Sequence, residues 1–476
     1  MLRDHILKYL KEYFDHDLTP GQENFLESFP DFILSPDKGE VLLLKGYAGT
    51  GKTTVMKTVV RTLEKLKIRS VLLAPTGRAA KVFASITGRQ AYTIHKKIYR
   101  QKSAKDGFGT FVLDKNFHSN TFFIVDEASM ISNTSLDYSV FGTGKLLDDL
   151  VDFVGSGNKC KLILVGDIAQ LPPVGRALSP ALDSTEFKFY GLDVKEFNFN
   201  EVVRQAENSG VLWNATHVRG LIMAGDGALP ALQLSGFSDI YYVNGNDLIE
   251  ELSNSYDEVG VEDTIVVTRS NKQANKYNAG IRSRILWRED KIAVGDLMMV
   301  VKNNYHWIDV NEQVDFIANG DIYEITGIYG YTERYNHRFA DLRIRLIDYN
   351  DIELDVKVML DVIDLESASV PSEKNKEFFY AVAEDYEDVR PRKKMYEAVK
   401  EDDFFNALQV KFAYAVTCHK AQGGQWKNVF VDHGYFVDDM MDKEYLRWLY
   451  TAFTRATEKL FLVNFSKKFI KDKDLF

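Results

Sequence analysis

Val41-Leu42-Leu43-Leu44-Lys45-Gly46-Tyr47-Ala48-Gly49-Thr50-Gly51-Lys52-Thr53-Thr54 is the stretch that decides the fold of this 476-residue chain. A short apolar run, Val41–Leu44, ends in a glycine-punctuated turn and passes into a segment that reads as a helix to about Lys67. Glycines at 46, 49 and 51 let backbone N–H groups of the turn, through Ala48, Thr50 and Thr54, approach phosphate oxygens closely. Lys52 brings a cation to the β- and γ-phosphates, and the Thr53 hydroxyl suits a Mg²⁺ ligand. The helix aims the positive end of its dipole at the same anion. Strand, glycine loop and helix in that order predict a phosphate loop, with ATP and Mg²⁺ as its ligands.

Working outward, the apolar runs Val71–Ala74, Phe122–Val125 and Leu162–Val165 each end in a glycine or polar turn and alternate with helical stretches. That rhythm predicts a parallel sheet with flanking helices. Asp126-Glu127 stands at the end of the second of these runs, where an α/β fold puts its ligand groups. Asp126 is suited to hold Mg²⁺ through water, and Glu127 to orient or deprotonate the attacking water. After Leu162–Val165 comes Gly166-Asp167-Ile168-Ala169-Gln170-Leu171-Pro172-Pro173. The Gln170 amide can donate to a γ-phosphate and accept from water. Alone, either segment also fits an ordinary solvated loop.

A second α/β rhythm starts near Thr264–Thr268 and returns at Phe412–Thr417 and Val429–Val431. Between them, short alternating runs at Asp296–Lys302, Asp321–Ile328, Ala340–Asp348 and Glu353–Met359 predict a small β-barrel insertion. Residues 365–405, rich in Glu, Lys and Tyr, read as a charged helical connector. Lys96–Asn120 interrupts the first rhythm. It is basic early, turns at Asp106-Gly107, and carries Phe108 and Phe111, which predicts a hairpin insertion. At the N-terminus, residues 1–17 read as an amphipathic helix. Thr19-Pro20-Gly21-Gln22 opens a second helix, with Gln22 three residues after a capping threonine.

Hydrophobic residues at 45% and charged residues at 27% are those of a soluble globular protein of two to four domains. A net charge of −10 excludes coating nucleic acid by bulk positive charge and leaves local patches as the route to it. The two cysteines, Cys160 and Cys418, lie far apart and suggest neither a metal cluster nor a disulfide framework. The N-terminus lacks a signal-peptide core, and no run approaches the roughly 18 apolar residues of a membrane span. A cytoplasmic location is the expectation.

The motifs in order are Gly46–Thr53, Ala74-Pro75-Thr76-Gly77-Arg78, Thr93-Ile94-His95, Asp126-Glu127, Gly166–Pro172, Val202-Val203-Arg204-Gln205, Thr417-Cys418-His419-Lys420-Ala421-Gln422-Gly423 and Tyr450-Thr451-Ala452-Phe453-Thr454-Arg455-Ala456. From about Leu18 to Leu462 the chain resembles superfamily 1 helicases of the RecD/Dda type, the branch that moves 5′ to 3′. The resemblance implies two RecA-like domains, at 1–95 with 121–203 and at 204–290 with 406–476. The hairpin at 96–120 takes the place of the family's strand-separating pin, and 291–405 that of an SH3-like barrel with its helical connector. ATP then binds between the domains. Arg204 and Arg455 match arginines that reach the γ-phosphate from the second domain. Gln22 matches a glutamine that reads adenine, although Thr19 and Gln22 equally make a helix capping box. Gly423 falls beside the nucleotide. Gln425 stands where many relatives have a glutamate near the ribose, which is a departure from the pattern.

For the nucleic acid, the resemblance implies contacts from Thr76, Arg78, Thr93, His95, Thr417, His419 and Lys420, with Asn271 and Lys272 as weaker candidates. Hydroxyls, amides and cations suit phosphate contact without sequence readout. Phe108 or Phe111 is expected to stack on the junction base pair. Tyr305, His306 and Trp307 fit barrel core better than DNA contact. The expected activity is ATP-dependent unwinding of forked or tailed duplex by a monomer moving along single-stranded DNA. The alternatives are an ATPase subunit of a larger recombination nuclease and a nucleotide switch that does not unwind.

Overall fold

The computed structural model describes residues 2–36, 39–101, 111–134, 141–203, 208–225, 227–308, 316–349 and 351–472. Its first part carries β1 (Glu40–Gly46), β2 (Arg69–Ala74), β3 (Ala91–Thr93), β4 (Tyr99–Gln101), β5 (Phe111–Leu113), β6 (Thr121–Val125), β7 (Lys161–Gly166) and β8 (Asp193–Phe199). Six of these form a parallel sheet in the order β3-β2-β6-β7-β1-β8. Its inner strands β1, β6 and β7 are near-continuous apolar runs because both faces are covered. Val41, Leu43, Phe123, Val125, Leu162 and Leu164 point into one core. Their neighbours Leu42, Leu44, Phe122, Ile124, Ile163 and Val165 point into the other, against helix Pro20–Leu34 and helix Lys52–Lys65. The alternation follows from the two-residue period of a strand.

The second part holds β9 (Ile240–Val243), β10 (Thr264–Thr268), β11 (Leu297–Val300), β12 (Ile322–Arg334), β13 (His337–Leu346), β14 (Ile352–Met359), β15 (Leu408–Phe412), β16 (Ala415–Thr417), β17 (Trp426–Asp432) and β18 (Ala456–Val463). A second parallel sheet runs β16-β10-β17-β18-β9, and β11 to β15 close into a barrel. The architecture is thus α/β, with two parallel sheets and a five-stranded barrel, as the sequence leads one to expect.

One boundary differs from expectation. The barrel's closing strand is Leu408–Phe412, which pairs with β11 and β14, so the barrel extends past residue 405. The run from Leu408 to Val416 is buried throughout and reads as one element; the chain leaves the barrel at Ala413-Tyr414 and enters the second sheet at Ala415. The charged connector forms helices Ser372–Ala383 and Arg392–Glu401. Their apolar residues Phe378, Val382 and Val399 pack on Phe339 and Met359 of the barrel wall, so the connector is a buttress.

The expected hairpin exists at its base, where β4 and β5 pair antiparallel. Phe108, at its centre, lies outside the described residues. Among the described residues no helix is long and apolar enough to cross a membrane.

Candidate active site

β1, β6 and β7 all point their C-terminal ends at one cleft. A cavity of ≈ 320 Å³ there is lined by Lys52, Thr53, Thr54, Asp126, Glu127 and Gln170 on the first-sheet side, and by Gly423, Gln425 and Arg455 on the second-sheet side. The loop Tyr47–Gly51 curls back on itself. Thr50 donates from both its N–H and its Oγ1 to the Tyr47 carbonyl, at 3.3 and 2.8 Å. Gly51 sits at φ +77° as the residue before helix Lys52–Lys65, and a Cβ there would lie 2.5 Å from Gln22 Nε2. A side chain at 51 would therefore be strained in backbone and blocked in space.

Lys52 Nζ donates to the Tyr47 carbonyl at 2.7 Å and stands 3.9 Å from Asp167 Oδ2. Asp126 Oδ1 accepts the Glu127 N–H at 2.8 Å. Burial, with the Glu127 charge adding to it, pushes the Asp126 carboxyl well above the usual carboxylate range. Burial likewise raises Asp167. Glu127 itself takes the left-handed conformation, φ +53°. Such backbone is uncommon for a non-glycine residue and clusters at functional sites. Gln170 Oε1 is buried with no hydrogen-bond partner among the described residues. An acceptor left without a partner in a cleft is free for a donor that arrives with a ligand.

From the second-sheet side, Arg455 Nη1 reaches to 4.0 Å from Glu127 Oε1. The guanidinium is braced by the carbonyls of Thr451 and Gly424, at 3.0 and 3.1 Å. Arg204, the other expected arginine, lies outside the described residues. Gln22 makes the capping box, its Oε1 accepting the Thr19 N–H at 3.0 Å, and it also reaches the phosphate loop, where its Nε2 donates to the Thr50 carbonyl at 3.0 Å.

The expected strand contacts divide. Asn271, Thr417 and Lys420 line one small cavity at the edge of the second sheet, and His419 beside them is exposed. Burial lowers Lys420 to about 8, and its ammonium bonds Asn319. Lys272 is exposed and pairs with Glu366 at 3.1 Å. Thr76 and Thr93 both cap helices, Thr76 through the Ala79 N–H and Thr93 through the Lys96 N–H, each at 3.2 Å.

Three residues sit otherwise than expected. Arg78 lies in the seam between the two halves, 4.1 Å over the Trp426 ring and bonded to the Gln425 carbonyl at 3.3 Å. His95 is half-buried against Phe141, Tyr99 and Phe316, and burial lowers it to about 4. Phe111 is buried against Phe141, Tyr305 and Phe316, so it is a core residue at the hairpin's base. Stacking on a base pair needs an exposed ring, and Phe111 at 6% exposure does not offer one. Tyr305 joins the same cluster, and Trp307 donates to the Asn406 carbonyl at 2.9 Å.

The residues that sequence reasoning missed are Asp167 and Tyr450. Both stood inside quoted motifs, but neither residue type signals a role without the geometry that brings them together. Asp167 Oδ2 accepts from the Tyr450 hydroxyl at 2.6 Å.

A glycine loop, a lysine, an Asp-Glu pair and an opposing arginine around one cleft define a P-loop nucleotide-binding protein with a bipartite site. Comparison with known proteins narrows this. Residues 18–211 match the AAA domain family model, and residues 412–463 match the UvrD-like helicase C-terminal domain. The chain is 26% identical over 302 residues to the ATP-dependent DNA helicase dda of Enterobacteria phage T4, covering 60% of this chain and 61% of that protein. It is 33% identical over 145 residues to the ATP-dependent RecD2 DNA helicase of Deinococcus radiodurans, covering 29% of this chain and 17% of that one. A Pif1 helicase structure from Bacteroides, in complex with ADP-AlF3 and ssDNA, aligns over 96% of this chain and 95% of that chain at 15% identity, with a TM-score of 0.47. The two family matches and both helicase relatives bear out the resemblance to superfamily 1 helicases of the RecD/Dda type. It spans less than two thirds of the length of either sequence relative.

Proposed function

We propose that this protein is an ATP-dependent DNA helicase, a cytoplasmic monomer that moves 5′ to 3′ on single-stranded DNA and unwinds forked or tailed duplex. One observation carries the reading. The cleft sets Lys52, Glu127 and Gln170 on one wall and Arg455 on the other, so both walls can grip a single γ-phosphate.

The loop Gly46–Thr54 holds the phosphates through its N–H groups, and Gln22 keeps the Thr50 end of that loop in place. A half-buried carboxylate facing the cleft, with the Thr53 hydroxyl in the same cavity, fits a dication, so Asp126 and Thr53 would hold Mg²⁺. An ion held there would supply positive charge against the phosphates. Glu127 orients and deprotonates the attacking water, and Gln170 meets the γ-phosphate with an amide that has an unpaired oxygen for water. Arg204 and Arg455 stabilise charge on the transferring group and make closure of the cleft depend on it. Gly423 and Gln425 border the nucleotide from the second domain.

Closure moves one RecA-like domain along the strand. Asn271, Thr417, His419 and Lys420, grouped at the edge of the second sheet, support a phosphate track there, with Thr76 and Thr93 on the first. The hairpin divides the duplex ahead. The test is ATP turnover with and without single-stranded DNA, together with unwinding of duplexes carrying a 5′ or a 3′ tail. Turnover stimulated by DNA, with unwinding from the 5′ tail alone, is expected. Turnover indifferent to DNA would point to a nucleotide switch, and unwinding from the 3′ tail would reverse the polarity.

A further inference from the structure

Tyr450 lies on helix Lys443–Phe453, which packs beneath the second sheet, and only 1% of it is exposed. Its hydroxyl crosses the cleft. It accepts the Ala48 N–H of the phosphate loop at 2.7 Å and donates to Asp167 Oδ2 at 2.6 Å. Asp167 is as deeply buried, and its other oxygen accepts the Ala169 N–H at 2.9 Å. Asp167 Oδ2 also faces Lys52 Nζ at 3.9 Å, and Lys52 closes the circuit on the Tyr47 carbonyl.

A phenol suits this position because one oxygen accepts and donates at once, on the end of a rigid ring. Burial and the neighbouring Asp167 carboxylate hold its proton on far beyond neutral pH, so it stays a donor. The same helix carries Thr451, whose Oγ1 accepts the Leu171 N–H at 2.8 Å, and Arg455 follows directly after its end. The helix that presents the arginine is therefore fastened to the phosphate loop and to the Gly166–Pro172 segment by hydrogen bonds inside the cleft. A second contact from the same side seats Arg219 4.4 Å over the Tyr47 ring.

We propose that Tyr450 is a positioning residue for ATP hydrolysis: its hydroxyl fixes the Ala48 N–H and Asp167 in register with Lys52, so that the phosphate loop and Arg455 reach the γ-phosphate together. The inference rests on the ATP-hydrolysing reading above. Removing the hydroxyl leaves Ala48 N–H and Asp167 without that shared partner and frees the helix by the width of a hydrogen bond. Small displacements of this kind cost rate more than affinity, because alignment is needed most in the transition state.

The experiment compares Tyr450→Phe, Asp167→Asn and the double variant with the wild-type chain, in steady-state ATP turnover with and without single-stranded DNA. Tyr450→Phe keeps the buried ring. Its kcat should fall about tenfold while KM for ATP moves less than about threefold, with cooperative unfolding kept and the thermal midpoint lowered by only about a few degrees. The double variant should lose little more than the worse single one, because the two residues act as a unit. A Tyr450→Phe kcat within twofold of wild type, losses that multiply in the double variant, or a loss confined to KM would overturn the proposal. Wild-type turnover that ignores DNA would instead count against the helicase reading, and the Tyr450 comparison would still be decided on the DNA-free rate.

Discussion

Arg455 Nη1 and Glu127 Oε1 face each other across the cleft at 4.0 Å. The guanidinium spends its other donors on Thr451, Gly424 and the Thr454 hydroxyl, which hold its plane toward the phosphate loop. A lysine at 455 would keep the charge and lose that fork. Arg455→Lys is expected to lower kcat by about a thousandfold with little change in ATP affinity, because the lost interaction belongs to the transition state. Single-turnover hydrolysis alongside nucleotide-analogue binding checks this; equal losses in both would mean that Arg455 serves binding alone.

Phe111 makes a different kind of prediction. Its ring lies 4.5 Å from that of Tyr305 and 4.8 Å from that of Phe141, joining the hairpin base to the start of the barrel. Phe111→Ala should cost about 3 kcal/mol of stability, as buried aromatic truncations do, and lose unwinding with it. Phe111→Leu, which refills most of the volume, should retain both. A Leu variant with normal melting and no unwinding would restore a stacking role to this ring.

The two cysteines are both buried. Burial pushes Cys418 up to about 12, and it raises Cys160 as well. Since the thiolate is the nucleophile, neither should react with a thiol reagent at neutral pH in the native chain, and both should react after denaturation. Rapid native labelling at either position would contradict this packing.

Much of this was legible because phosphate chemistry constrains sequence tightly. The loop at Gly46–Thr53 needs its glycines and lysine in order, and the runs before Asp126 and Gly166 are strands buried on both faces. The barrel was legible from alternation, except for Leu408–Phe412, whose two-sided burial hid the handover to the second sheet. Edge strand β8, Asp-Val-Lys-Glu-Phe-Asn-Phe, mixes charge with apolar residues and gave no strand signal. The packing of His95 and Arg78 was not legible for another reason. A motif names the residue but not its neighbours, and the aromatic cage of one and the Trp426 face beneath the other come from distant sequence. Tyr450 shows the same limit in the site itself, since its partners Ala48 and Asp167 lie 402 and 283 residues away in the chain.

The caged His95 leaves a mark on pH dependence. Its ring is 4.8 Å from Phe141 and 5.7 Å from Tyr99, and burial lowers it to about 4, against 6.5 for an unfolded histidine. Above pH 6.5 the ring is neutral in both states and costs nothing. As pH falls from 6.5 toward 4 the unfolded chain takes up a proton that the folded chain refuses, so folding loses stability through that window. Below about 4 both states are protonated and the loss levels off at about 3 kcal/mol. His95→Phe removes the titrating group and keeps an aromatic ring in the cage. Denaturant unfolding at pH 7.5 and at pH 4.5 should therefore show a smaller drop for the variant than for the wild-type chain. Identical drops would place the acid sensitivity among the carboxylates and take His95 out of the account.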